Sequence, residues 1–461
     1  DSPRLSLDFG WMYLLRGNFP GVVPYLEQAQ SALAQADAPA RVTGILQGEC
    51  AALEANLLQA QGRISEAIEA AHRALALTPP DHAQVIGLAA LALGGAYRQA
   101  GQFDRAVETL QQAVHAAGAA GNLVTEMLAY AHLTLMALQY GRLTFVVEMA
   151  ERAIERMEGA GSPLPPVVGA IHAALGVVYY ERNELEAARA YLTRGIELAA
   201  ISGHNASAIF AHAQLARLWM VVGDLAAAAT ALQTAADLLA DGAPGWVRPE
   251  VVQRQVALLL ARDEEREAET VLRQGGTGPD DEVNHQTDAI HLAWLHLFLA
   301  QEREDARFLA ERIIHSAEAD ARNGTLIQAL ALGALLADDV ERAQGWLRRA
   351  LALAKAEGYA RVFLDAGEPM AVRLRQVGEE ELAQKISTAS PPDQHELVEP
   401  LSERELEVLV LMADGLTYAE IGERLVVSIN TVRHHVKNIY GKLGVSRQVQ
   451  ALERAREIGL I

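Results

Sequence analysis

A short polar turn returns along most of this chain at a nearly constant interval. It falls at Gly17, Gly62, Gly101, Gly141, Asn183, Gly223, Asp263, Glu302 and Asp338, with spacings between 36 and 45 residues and alanine-rich sequence after each. An interval of about 40 residues holds two helices and two short connections. Glycine and asparagine suit such turns because they tolerate positive φ at little cost. The composition agrees. Half of the 461 residues are apolar but only 5% are aromatic, and the abundance of Ala and Leu favours helix over strand. The only cysteine is Cys50, so no disulfide forms within the chain, and a reducing compartment such as the cytoplasm fits. The longest apolar run, Val85 to Tyr97, is too short to span a bilayer and runs into Arg98, which predicts a buried helix and no membrane partner.

Within the units, small and large apolar residues recur in register. One unit has Leu93, Gly94, Tyr97, Gly101, Ala106, Leu110 and Ala113; another has Leu175, Gly176, Tyr179, Asn183, Ala188, Leu192 and Gly195; a third has Leu215, Ala216, Trp219, Gly223, Ala228, Leu232 and Ala235; a fourth ends with Ala67, Ala71, Ala74 and Pro79. Small residues let paired helices approach closely, and large ones fill the space between pairs. The pattern resembles tetratricopeptide repeats, with a period longer than their usual length of about 34 residues, so longer helices or loops are expected. Arrays of this kind stack into a superhelix with a concave surface that takes a small molecule or a protein. The predicted array spans 1–386. Gly275 to Asp281, GGTGPDD, lacks a Gly-Lys-Ser/Thr ending and is followed by acids, so it reads as an inter-helix loop rather than a phosphate cradle. Ser390, Pro391 and Pro392 mark 387–400 as a linker, because successive prolines block helix propagation. Trp219, Trp294 and Trp346 read as packing between repeats.

Charge separates the two parts. The whole chain carries −20, which disfavours nucleic acid, yet residues 401–461 hold eight Lys/Arg against eight Asp/Glu and are neutral. Ser428 to Arg447 contains Arg433, Lys437, Lys442 and Arg447 and no acid. DNA binding would therefore rest on a local patch of this small unit. Leu401-Ser402-Glu403-Arg404-Glu405-Leu406 predicts a capped helix start, with Leu406, Leu409, Val410 and Ala413 as its buried stripe and Gly415 at its end. Thr417 with Glu420 is a second capping box, opening a short helix that buries Ile421 and Leu425. Ser428 caps a third helix. On it, Val432, Val436, Ile439 and Leu443 fall within about 60° of one another, while Asn430, Arg433, His434 and Lys437 fall opposite. Ser446 caps a fourth helix that ends near Gly459.

The text LSERELEVLVLMADGLTYAEIGERLVVSINTVRHHVKNIYGKLGVSRQVQA resembles the LuxR-type helix-turn-helix domain, with Gly422 where Ala is usual. The body, with GYARVFLDAGEPM at Gly358 to Met370 ahead of the linker, resembles the MalT-like regulators. The resemblance implies an all-α protein: a tetratricopeptide-like superhelix followed by a four-helix LuxR-type helix-turn-helix domain at 401–461. Large members of that family also carry an N-terminal P-loop ATPase. GxxxxGK[ST] is absent here, and the chain opens with Asp1 rather than Met. It is then the C-terminal part of such a regulator, or a form lacking the ATPase.

The expected function is a transcriptional regulator whose repeats sense a ligand or protein and whose third C-terminal helix reads the major groove of double-stranded DNA. Arg433, His434 and Lys437 are the candidate base readers, with Arg433 and Lys437 able to reach guanine O6 and N7. Thr417, Ser428, Thr431, Lys442 and Arg447 are candidate phosphate contacts, against a reading of Thr417 and Ser428 as caps alone. His435 lies nearer the core boundary. The LuxR resemblance implies a dimer seam along Val449, Leu452 and Ala455, against packing on the domain's own core, and the regulator reading implies RNA polymerase as a partner. GLTYAEIGERL followed by SINTVR also resembles sigma region 4, which the fourth helix and the repeats argue against; a protein-interaction scaffold is the other alternative. His291 and His296 do not share a helix face, no HExxH, GxSxG or cysteine pair is present, and no catalytic site, metal or cofactor is expected.

Overall fold

The computed structural model describes residues 2–15, 18–35, 38–159, 165, 167–202, 205–240, 245–337, 339–389, 401–413, 416–425, 427, 431–432, 435–436, 438–439, 442, 451–452 and 455. Among these the chain is helical, with no strand. They cluster into two compact units, Asp1–Glu380 and Glu381–Ile461.

The first unit is a series of helix pairs. Nine pairs are described, among them Ala40–Ala60 with Ile64–Leu77, Ala83–Gln99 with Phe103–Ala119, Leu123–Gln139 with Leu143–Glu158, and Val168–Glu181 with Leu185–Ser202. Asn205–Val221 with Leu225–Ala240, Arg248–Leu260 with Glu265–Gln274, Asp288–Ala300 with Ala306–Ala319, and Asn323–Leu336 with Val340–Glu357 follow. The recurring turns lie between the two helices of a pair. Gly62, Gly101, Gly141, Asn183, Gly223, Asp263 and Glu302 all have positive φ, from 51° to 82°. In each, the following amide donates back to a carbonyl five residues earlier: Arg63 to Leu58, Gln102 to Tyr97, Arg142 to Ala137, Glu184 to Tyr179, Asp224 to Trp219, Glu264 to Leu259 and Arg303 to Phe298, at 2.8–3.0 Å. This is the Schellman closure, which satisfies carbonyls the helix end would leave bare. Gly17 and Asp338 lie outside the described residues.

The small residues have the predicted role. A Cβ on Gly94 would stand 2.6 Å from Leu110 Cγ, and one on Gly176 2.6 Å from Leu192 Cγ. First helices of successive pairs also pack side by side, from Ala40–Ala60 through Asn323–Leu336. On an arc the inner elements lie closest, so these first helices form the inner layer. Their apolar contacts join consecutive pairs into continuous cores, one of which runs from Ala55 to Leu198. Trp294 is fully buried and donates to Thr277 O at 2.9 Å. Trp346 lies against Gly333, and Trp219 packs onto the core around Ala216 and Leu232.

The array also closes on itself, which the repeat pattern did not predict. The segment between Gln274 and Asp288 is a loop, as expected, but an anchored one. Arg312 donates to the carbonyls of Pro279, Asp280 and Asp281, and Ser316 to that of Val283. Its far end reaches back across the array. His285 Nε2 donates to Gln99 O at 3.1 Å, Gln286 Nε2 to the same carbonyl at 3.2 Å, and Gln139 Nε2 to His285 O. Next to this contact the backbones of Gly141 and Gly324 meet, with Gly324 N 2.3 Å from where a Gly141 Cβ would stand.

GYARVFLDAGEPM supplies a second clasp. Tyr359 and Arg361–Leu364 are buried. Ala360 N donates to Glu181 O at 2.7 Å, Arg361 Nη1 to Asn183 Oδ1 at 3.1 Å, and Tyr180 Oη to Asp365 Oδ2 at 2.8 Å. Arg217 lies over the Tyr180 ring and bridges Glu181 and Asp365. The motif that carried the family resemblance thus holds two distant parts of the array together.

Candidate nucleic-acid interface

Two reciprocal caps open the helices of the second unit from Glu403 onward. Ser402 Oγ accepts from Glu405 N at 3.3 Å while Glu405 Oε2 accepts from Ser402 N at 2.8 Å. Thr417 and Glu420 repeat the arrangement, at 3.4 and 2.7 Å, and the Thr417 hydroxyl also donates to Glu420. Each pair satisfies donors that a helix start leaves bare. The helices Glu403–Ala413 and Tyr418–Leu425 follow. Arg404 joins them by donating to Leu425 O at 2.5 Å.

Val408, Leu409, Leu411, Met412, Ile421, Val432, Val436, Ile439, Ala451 and Ala455 form one core, with Leu401, Leu406, Leu416, Tyr418, Leu425, Val427 and Leu452 around it. The expected stripe of the first helix is rotated. Val410 is 41% exposed, and Val408 and Met412 take the buried positions. The capping box explains the shift: it turns Glu405 inward, to 4% exposure, and the positions three and four residues further on follow it. The third helix keeps the predicted core face at Val432, Val436 and Ile439. His435 is half-buried.

Of the candidate phosphate contacts, Thr417 is exposed and serves as a cap, and Thr431 is half-buried on the third helix. Lys442 Nζ sits 2.9 Å from Glu405 Oε2. Burial alone would raise the Glu405 carboxyl, but the hydrogen bonds from Lys442 and Ser402 lower it to about 2. Lys442 thus neutralises an interior charge, and no local sequence signal shows this, because the partners are 37 positions apart. Ala455 is fully buried in the unit's own core and Leu452 packs on it. Arg433, His434, Lys437, Ser428, Arg447 and Val449 lie outside the described residues, as do Gly415, Asn430, Leu443, Ser446, Gly459 and most of the expected linker.

A family model described as the MalT-like TPR region matches residues 48–380. The chain belongs to that family. A second model, bacterial regulatory proteins of the luxR family, matches residues 399–455. The HTH-type transcriptional regulator MalT of Yersinia pestis is 25% identical over 498 aligned positions, covering 99% of this chain and 54% of that protein. MalT of Serratia proteamaculans is 24% identical with the same coverage. The chain therefore spans about half the length of these curated relatives. Among solved structures, NprR in complex with its cognate peptide NprX superposes with a TM-score of 0.52 at 13% identity, covering 77% of this chain and all of that one; this likeness concerns the fold alone. In the chain, MalT-like repeats are followed by a LuxR-type helix-turn-helix domain. Among the described residues no helix is long and apolar enough to cross a membrane, and no cluster of metal-ligating side chains occurs.

Proposed function

We propose that this chain is the sensing and DNA-reading portion of a cytoplasmic transcriptional regulator. The repeat array takes up a ligand or protein partner, and the C-terminal unit binds operator DNA. The observation that carries the reading is the burial of Val432, Val436 and Ile439 behind two capped helices. With that face committed to the core, the helical period assigns Arg433, His434 and Lys437 to the opposite side, where a recognition helix meets base edges. Ser428, Arg447, Thr431 and Thr417 are proposed to contact phosphate. Lys442 joins them only by leaving Glu405. A two-fold pairing through Val449 and Leu452, with Ala455 behind them, would set two half-sites about one helical turn apart, and RNA polymerase is the proposed downstream partner. For the array, a peptide is one fitting ligand class, since NprR, of similar fold, is solved with one.

The test is selection of duplexes from a random pool by the intact chain, followed by titration. Arg433→Ala and Lys437→Ala should each weaken binding to the selected duplex by about 1–3 kcal/mol. Affinity should fall steeply as salt rises. Unchanged affinity in both variants removes the assigned face, and stable retention on core RNA polymerase without duplex selection would favour the sigma-like reading.

A further inference from the structure

The inner layer of the array contains an arginine that no carboxylate among the described residues accompanies. Arg98 is on Ala83–Gln99, the first helix of its pair. Its Nε is shut off from solvent and has no hydrogen-bond partner. Among the described residues no carboxylate acts on it: burial alone pushes its guanidinium down from the ordinary value, and nothing raises it again. This is unusual in a protein with 59 acidic residues, where other buried arginines have carboxylates. Arg322, fully buried, is held by Asp288 and Asp320, and Arg217 by Glu181 and Asp365. A guanidinium with its Nε drawn out of water and no carboxylate beside it is costly to keep, and an anion reaching its open side would offset that cost.

Neutral hydrogen-bonding groups lie beside Arg98 and beside the helix turn that precedes it. His132 is on Leu123–Gln139, the first helix of the next pair, which packs against Ala83–Gln99. It forms no hydrogen bond among the described residues, and burial with Arg98 beside it holds it down to about 3, so it is a neutral imidazole. On the other side Gln59, from Ala40–Ala60, lays its amide over Gly95, one helical turn before Arg98. A Cβ there would stand 2.3 Å from Gln59 Nε2. A carboxamide, a guanidinium and an imidazole thus come from three successive inner helices, with no acid among them. Arg98 and His132 are only half-buried, so a small molecule can reach them.

We propose that Gln59, Arg98 and His132 form a binding site for the oxyanion group, carboxylate or phosphate, of a small ligand. The proposal rests on the reading of the array as the sensing portion. The site has a built-in connection to the closure. The residue after Arg98, Gln99, supplies the carbonyl that accepts from His285 and Gln286.

The test is thermal unfolding of the intact chain, without DNA, titrated with inorganic phosphate and, separately, with succinate at constant ionic strength. One of the two should raise the Tm saturably by about 3 °C, which also distinguishes phosphate from carboxylate. Arg98→Gln should abolish the rise and, with the unpaired charge gone, should unfold without ligand at the wild-type Tm or above. His132→Asn should weaken the response several-fold, and carries the test should Arg98→Gln fold poorly. No saturable rise in the wild type with either anion, or an equal rise in Arg98→Gln, overturns the proposal. Duplex retention by the same variants is measured separately, so a failed anion site with intact DNA binding leaves the regulator reading standing.

Discussion

Glu302 occupies a position that its side chain does not favour. Six other turns of the series place Gly, Asn or Asp at positive φ, while Glu302 adopts 51° with a long side chain. Left-handed backbone costs an ordinary L-residue about 1–2 kcal/mol. Glu302→Gly should recover about 1 kcal/mol after the added freedom of the unfolded chain is counted, seen as a higher urea midpoint at unchanged slope. Glu405 illustrates electrostatics at the same scale. Its folded pKa, about 2, is below the ordinary value of 4.5. The stability it contributes is complete above that ordinary value and is lost as pH falls towards 2. Lys442→Met should leave the buried carboxylate unpaired, destabilise the C-terminal unit by about 3 kcal/mol at neutral pH, and flatten its acid transition, as followed by the near-UV signal of Tyr418.

Between helices, the decisive quantity is the closeness that small residues allow. Gly94→Val would push a branched side chain into Leu110, already within 2.6 Å of the missing Cβ. A loss of about 3 kcal/mol is expected, the upper part of the range for overpacking, and chemical denaturation would measure it. This level was the most legible in the sequence, because a helix pair is a local object. The turn residues, the spacing of Gly94 and Leu110, and the Ser402 and Thr417 caps all lie within about one or two helical turns of their partners or follow a fixed period. The rotation that exposes Val410 is invisible to a stripe read from hydrophobicity alone. The reciprocal cap aims Glu405 inward, and an acidic side chain at a core position has no place in an apolar pattern. The Lys442–Glu405 pair is hidden for a related reason, since a cation in a basic stretch looks like a solvated one.

Across the whole array, the closure is what the sequence concealed. Gln139 and His285 are 146 positions apart, and their contact depends on the accumulated curvature of every intervening pair, which no local pattern encodes. The clasp motif was visible as text, yet its role came only from its partners Glu181 and Asn183. Gly141→Val should prevent the meeting with Gly324 and open the array while leaving the individual pairs folded. Hydrogen exchange is expected to speed up at the loop 281–288 and at 99–102, with helices such as Val168–Glu181 unchanged. Uniform protection loss along the chain would instead mean that the junction belongs to the same cooperative unit as the helices.

Four helix pairs, from Leu123–Gln139 to Glu265–Gln274, lie between the turn at Gly101 and the loop that returns to it. A simple solenoid can gain or lose a unit anywhere, since each repeat touches only its neighbours. Here one more or one fewer pair within that stretch would carry His285 past Gln99. The circumference is fixed by count, so any change in length belongs outside the ring.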